Sequence, residues 1–109
     1  MAVTPKPLGD GQLPTTKATL YQCPADTRAI VKLVSLVNVS ASLRTVNIYV
    51  NVSGTSRRVV PKDWPIAVGE QVLIEDIGLY LDAGDLLEGD ASAATSIDFV
   101  VCGVEYTES

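Results

Sequence analysis

The chain has 109 residues, 47% of them hydrophobic and 19% charged, with a formal net charge of −5. That length makes one domain, and the composition excludes an intrinsically disordered chain, which needs low hydrophobicity and high charge. No run of about 18 apolar residues exists to cross a membrane as a helix, and residues 1–7 lack the basic-then-apolar order of a secretory signal.

Residues 1–16 contain Pro5, Pro7, Gly9, Gly11 and Pro14. Proline lacks a backbone donor and glycine favours turns, so the stretch reads as an extended arm outside any regular element. The folded domain is expected over 17–109. A first strand is expected at 18–23, stopped by Pro24-Ala25-Asp26-Thr27, where proline presets φ and aspartate favours the same turn. Residues 28–39 form a long strand. On strict alternation one side carries Val31, Leu33, Ser35, Val37 and Val39, the other Ile30, Lys32, Val34, Leu36 and Asn38. Both sides are largely apolar, as in a strand covered twice, so the arm or a neighbouring subunit is expected to supply the second cover. Val34 and Leu36 are the candidate contacts on that strand.

Residues 43–52 carry the clearest period of two: Val46, Ile48, Val50 and Val52 against Asn47, Tyr49 and Asn51. That is the pattern of a half-buried antiparallel strand. Turns are expected at Ser53-Gly54-Thr55-Ser56 and Asp82-Ala83-Gly84-Asp85, and short strands at 57–60, 71–75, 78–81 and 86–90. Trp64-Pro65 reads as loop, and the last strand as 96–106. About eight short strands with turn signals every 8–12 residues predict an antiparallel β-sandwich, jelly-roll or immunoglobulin-like.

The chemistry available is narrow. The chain has no histidine, which removes the commonest general base and metal ligand. No phosphate-binding glycine loop is present. Glu75, Asp76, Asp82, Asp85, Glu88 and Asp90 flank turn glycines, as solvated turn acids do. A calcium site is the sharper alternative, but the spacing fits no helix–loop–helix calcium loop. No catalytic residue, metal or cofactor is expected, and the chain is read as a non-enzyme. Cys23 and Cys102 show no zinc or redox spacing and are expected as free thiols, with a disulfide as the alternative. Asn38-Val39-Ser40 and Asn51-Val52-Ser53 match glycosylation acceptors by chance. Trp64 is either a contact residue at an interface or a plug at the end of the sandwich.

Charge is unevenly spread. Residues 1–62 hold all eight bases against Asp10 and Asp26, and residues 63–109 hold the other eleven acids and no base. Either the halves interleave and their charges mix, or basic and acidic patches meet across copies. Nucleic acid is not expected as a partner of an acidic chain without a basic stripe.

The run Leu20-Tyr21-Gln22-Cys23-Pro24-Ala25-Asp26-Thr27-Arg28-Ala29-Ile30-Val31-Lys32 resembles the strand–turn–strand opening of small β-sandwich virion proteins of tailed bacteriophages. Val37-Asn38-Val39-Ser40-Ala41-Ser42, Ser56-Arg57-Arg58-Val59-Val60-Pro61-Lys62-Asp63, Gly78-Leu79-Tyr80-Leu81-Asp82-Ala83-Gly84-Asp85 and Glu88-Gly89-Asp90-Ala91 fit the same pattern. The likeness covers residues 18–106, with Asp26 where glycine is expected. It implies a virion structural protein, made in the host cytoplasm, and within that class a capsid decoration (cement) protein on the outer head. Its partners would be the major capsid protein and copies of itself, as a homotrimer. Pro5, Pro7, Pro14, Val34, Leu36, Arg57, Arg58 and Trp64 are the expected contacts with the shell or a sister subunit. The runner-up is a tail-fibre, spike or adhesin-type module that binds a host receptor or glycan, which a Tyr49–Trp64 cluster would favour.

Overall fold

Alternating apolar residues bury one side of each strand, and two sheets close on the faces so formed. The computed structural model describes the backbone of residues 2–107 and the side chains of residues 7–75 and 79–107. Among these residues there are nine strands and no helix: β1 (Ala2–Gln12), β2 (Ala18–Gln22), β3 (Thr27–Asn38), β4 (Arg44–Val52), β5 (Thr55–Arg58), β6 (Trp64–Ile66), β7 (Gln71–Leu81), β8 (Leu86–Ala91) and β9 (Ile97–Thr107). One antiparallel sheet runs β1-β9-β3-β7, and the other runs β2-β8-β4-β5 with β6 also paired to β4. The two pack as a sandwich, as the turn spacing predicts.

The doubly apolar look of residues 28–39 has a local cause. The register of β3 shifts between Val31 and Leu33 against both of its neighbours. Such a bulge adds a residue and reverses the alternation beyond it. The inward side therefore reads Ala29, Val31, Val34, Leu36 and Asn38, each at most 1% exposed. The outward side carries Ile30, Leu33, Ser35 and Val37, all half-buried. Strict alternation mixed the two sets.

Most of the proline-rich stretch read as an arm outside any regular element is instead a strand. Residues 2–12 form β1, which pairs with β9 along its length with one shift between Pro7 and Gly9. A proline lacks only its own donor, and an edge strand can turn that side away from the ladder. The same reasoning admits Pro65 into β6, which pairs with β4 alone. The segments expected at 71–75 and 78–81 belong to the single strand β7.

The core lies between the sheets. Val31, Val34, Leu36, Val101 and Ile97 of the first meet Ile48, Val46 and Leu87 of the second, with Leu13, Ile66 and Leu81 closing the ends. At Gly103 of β9 a Cβ would clash with the Ile30 carbonyl oxygen of β3. The β4–β5 hairpin turns on Ser53 and Gly54, both at positive φ (53° and 87°), the geometry of the two-residue turn that matches strand twist. Asp26 has φ 57°, so it occupies the left-handed position that glycine fills more cheaply.

Candidate functional site

The two outer faces of the sandwich differ in kind. On the β2-β8-β4-β5 sheet the outward residues are polar and bonded to one another. Asn47 is the hub. Its Nδ2 donates to Asp90 Oδ1 (2.8 Å) and Asp63 Oδ1 (3.1 Å). Its Oδ1 accepts from Arg58 Nη1 (2.5 Å) and from the Asp63 backbone N–H (2.9 Å). Tyr49 donates to Asp90 Oδ2 (3.2 Å). Lys17 Nζ and the Arg58 guanidinium each lie 5.0 Å from the Tyr49 ring centroid, within cation–π range. Lys17 also donates to Ser56 Oγ, which donates to Glu88 Oε1 (2.7 Å). Burial, then the charge of Asp90, raise the Tyr49 pKa above its ordinary value.

The outward face of the β1-β9-β3-β7 sheet is mostly apolar. The register places its residues in rows across the strands. Val100 of β9 stands opposite Ser35, which stands opposite Leu73 of β7. Cys102 pairs with Leu33, and Leu33 with Glu75. Val104 pairs with Ile30, and Ile30 with Tyr80. Val100, Leu73 and Tyr80 are 41%, 47% and 76% exposed. Charges stand at both ends, Asp98 opposite Val37 and Arg28 opposite Tyr106, and also near the middle, at Lys32 and Glu75. Arg28 Nε lies 3.5 Å from Asp82 Oδ1, with both side chains largely in solvent.

Between the sheets, at one end, Tyr21 of β2 donates to Glu105 Oε2 of β9 at 2.5 Å. Both are buried. Burial first, then this bond, push the Tyr21 pKa far above its ordinary value. The Cys23 thiol lies close by and donates to the carbonyls of Thr27 (3.3 Å) and Leu81 (3.6 Å). Cys23 and Cys102 are free, one directed inward and the other on the outward apolar face.

The sequence-predicted residues scatter over this frame. Val34 and Leu36 are 0% exposed and covered by the chain's own second sheet, so neither presents a surface to a neighbour. That expectation is corrected by the bulge, which sends Ile30 and Leu33 outward instead. Pro7 is exposed beside Cys102 on the apolar sheet. Pro5 pairs with Val104, and its side chain lies outside the described residues. The Pro14 carbonyl accepts from the Ala91 N–H (2.8 Å), tying the β1–β2 connection to β8. Arg57 and Arg58 are exposed on the short edge strand β5, Arg58 within the polar network. Trp64 pairs with Val46 and packs against the core, which is the plug reading. Tyr49 lies on the opposite side of the same sheet, so no Tyr49–Trp64 cluster forms.

The basic and acidic halves interleave. Lys17 and Arg58 sit among Glu88, Asp63 and Asp90, and Arg28 beside Asp82. The acidic turn at 82–85 is closed internally: the Asp82 N–H donates to Asp85 Oδ2 (3.0 Å), and the Asp85 N–H to the Asp82 carbonyl (2.9 Å). Among the described residues no group of three or more histidine, cysteine or acidic side chains could hold a metal ion. Asn38, in the first glycosylation-like triplet, is 1% exposed and inaccessible to a glycan.

No family model and no curated protein matches the chain. Among solved structures, it resembles a pentameric capsid protein isolated from metagenomic phage sequences, in two crystal structures. Each is 17% identical with a TM-score of 0.36, covering 90% of this chain. The chain spans 60% and 59% of the length of those proteins.

Proposed function

We propose that this chain is a bacteriophage virion structural protein, and within that class a capsid decoration protein on the outer surface of the head. The observation that carries the reading is the contrast between the two sheet faces. One is closed by its own hydrogen bonds, whereas the other leaves an apolar sheet surface in solvent, as a part built to be assembled does. The virion class rests on the resemblance over residues 18–106. The quoted motifs fall on strands and turns of the sandwich: Pro24 to Thr27 link β2 to β3, and residues 82–85 link β7 to β8.

A structural role also suits the chemistry. The buried polar groups Tyr21, Glu105, Asn38 and Asn47 hold strands and turns together. A glycan-binding tail module gains no support, since Tyr49 and Trp64 lie on opposite sides of one sheet. The test is copy number in purified particles, by quantitative mass spectrometry. A decoration protein is present on the order of hundreds of copies, following the symmetry of the shell. A few copies or tens would assign it to the tail, and absence would exclude a virion role.

A further inference from the structure

We propose that two copies of this chain pack face to face through the outward surface of the β1-β9-β3-β7 sheet, related by a two-fold axis running across the strands. This goes beyond the virion reading and shares with it only the exposed apolar face.

Size is the first argument. The sheet has four strands of 11 or 12 residues. At about 3.3 Å per residue and about 4.8 Å per strand, the face spans roughly 700 Å². A stable specific interface takes about 800 Å² from each partner, so this one face is close to sufficient. Its middle rows carry Val100, Leu73, Leu33, Ile30, Val104 and Tyr80, beside Ser35, Cys102 and Glu75, so apolar residues predominate there as they do in interface cores.

Charge selects the partner. Arg28 lies near one end of β3, and Asp98 and Asp10 lie at the opposite end of the sheet, where Asp10 pairs with Val100 and Asp98 with Val37. A two-fold axis across the strands sets the Arg28 end of one copy over the Asp98 end of the other, twice. A surface that matches itself under a two-fold is isologous and closes as a pair, whereas a trimer needs two different patches. The Arg28–Asp82 ion pair is solvent-exposed, so it holds Arg28 weakly and leaves it free to turn to a partner.

The edges of this sheet are poorly suited to lateral growth. β1 carries Pro5 and Pro7, and the β3–β7 register shifts between Val31 and Leu33. Prolines and bulges blunt strand addition, so association falls to the face. Aligned sheets pack face to face at about 30° with interdigitating side chains.

The test is sedimentation velocity on the full chain over about 1 to about 100 µM, a range that brackets micromolar association. The wild type is expected to pass from one chain to two. Val100→Asp and Leu73→Asp should each abolish the pair, and Leu73 is exposed enough that its variant folds, as circular dichroism will check. Arg28→Glu and Asp98→Arg should each weaken the pair by about tenfold or more, while the double variant regains it, because charge complementarity at a rim sets register. Alkylation of Cys102 should slow as the pair forms. A wild type that stays monomeric throughout, a trimer, a pair indifferent to Leu73→Asp, or a double variant no better than the singles would overturn the proposal.

Discussion

Replacing Asn38 by alanine removes four hydrogen bonds at one fully buried point. The Asn38 Nδ2 donates to the carbonyls of Ser42 and Ile66, each at 2.9 Å. Its Oδ1 accepts from the Ser40 backbone N–H (2.9 Å) and the Ser40 hydroxyl (2.8 Å). These bonds fasten the end of β3 to the β3–β4 turn and to β6. At about 0.5–1.5 kcal/mol net per bond, the loss is roughly 2–6 kcal/mol. A domain of this size is stable by about 5–15 kcal/mol, so the effect is a large share of the total. Urea unfolding followed by tryptophan fluorescence should show the midpoint falling by about 2 M. Asn38→Asp provides the sharper control, since it keeps the volume and the acceptor for Ser40 but sets an oxygen against two carbonyls. Burial beside those carbonyls raises the introduced carboxyl's folded pKa above its unfolded value. Its protonated form can donate to one carbonyl, so this variant's stability should be greatest at acid pH and fall as pH rises through the folded pKa. An Asn38→Ala midpoint within experimental scatter of the wild type would show that these bonds do not anchor the turn.

Three further outcomes follow from the same geometry. The folded-state pKa of Tyr21 is raised, chiefly by burial, so the folded chain keeps a proton that the unfolded chain releases. Stability should therefore fall as pH rises above about 10, and Tyr21→Phe should lose roughly 1.5–3 kcal/mol near neutrality yet flatten that alkaline decline; an unchanged alkaline slope would be the contrary result. Asp26→Gly relieves a left-handed backbone position and should stabilise the chain by up to about 1 kcal/mol in thermal unfolding, whereas a loss would show that the Asp26 side chain matters to the turn. Cys23 is 1% exposed, and burial pushes its pKa up, so a maleimide should reach it only on unfolding; equal labelling of Cys23 and Cys102 in dilute native protein would contradict that placement.

The strand pattern was legible because alternation at residues 43–52 and turn residues at 24–27, 53–56 and 82–85 act locally. β1 is hidden in the sequence because its prolines mimic breakers, and only the sheet order reveals that it lies at an edge. The bulge in β3 left no local mark beyond a strand apolar on both sides. Strict alternation assigns that excess to Val34 and Leu36, which the bulge turns inward. The outward apolar residues are Ile30, Leu33, Val100, Leu73 and Tyr80, which come from three strands and share a face only once the register is known. The polar network around Asn47 was half visible, since Asn47, Tyr49 and Asn51 were read as the outward set. Asp63 and Asp90 join Asn47 only through the fold, and Tyr21 reaches Glu105 across 84 positions of sequence.

Immunogold electron microscopy of the intact particles in which the proposed role places this chain tests that role most directly. Antibody raised against the purified chain should label heads over their whole outer surface and leave tails bare. Label confined to tails, or particles carrying none, would contradict a decoration protein of the head.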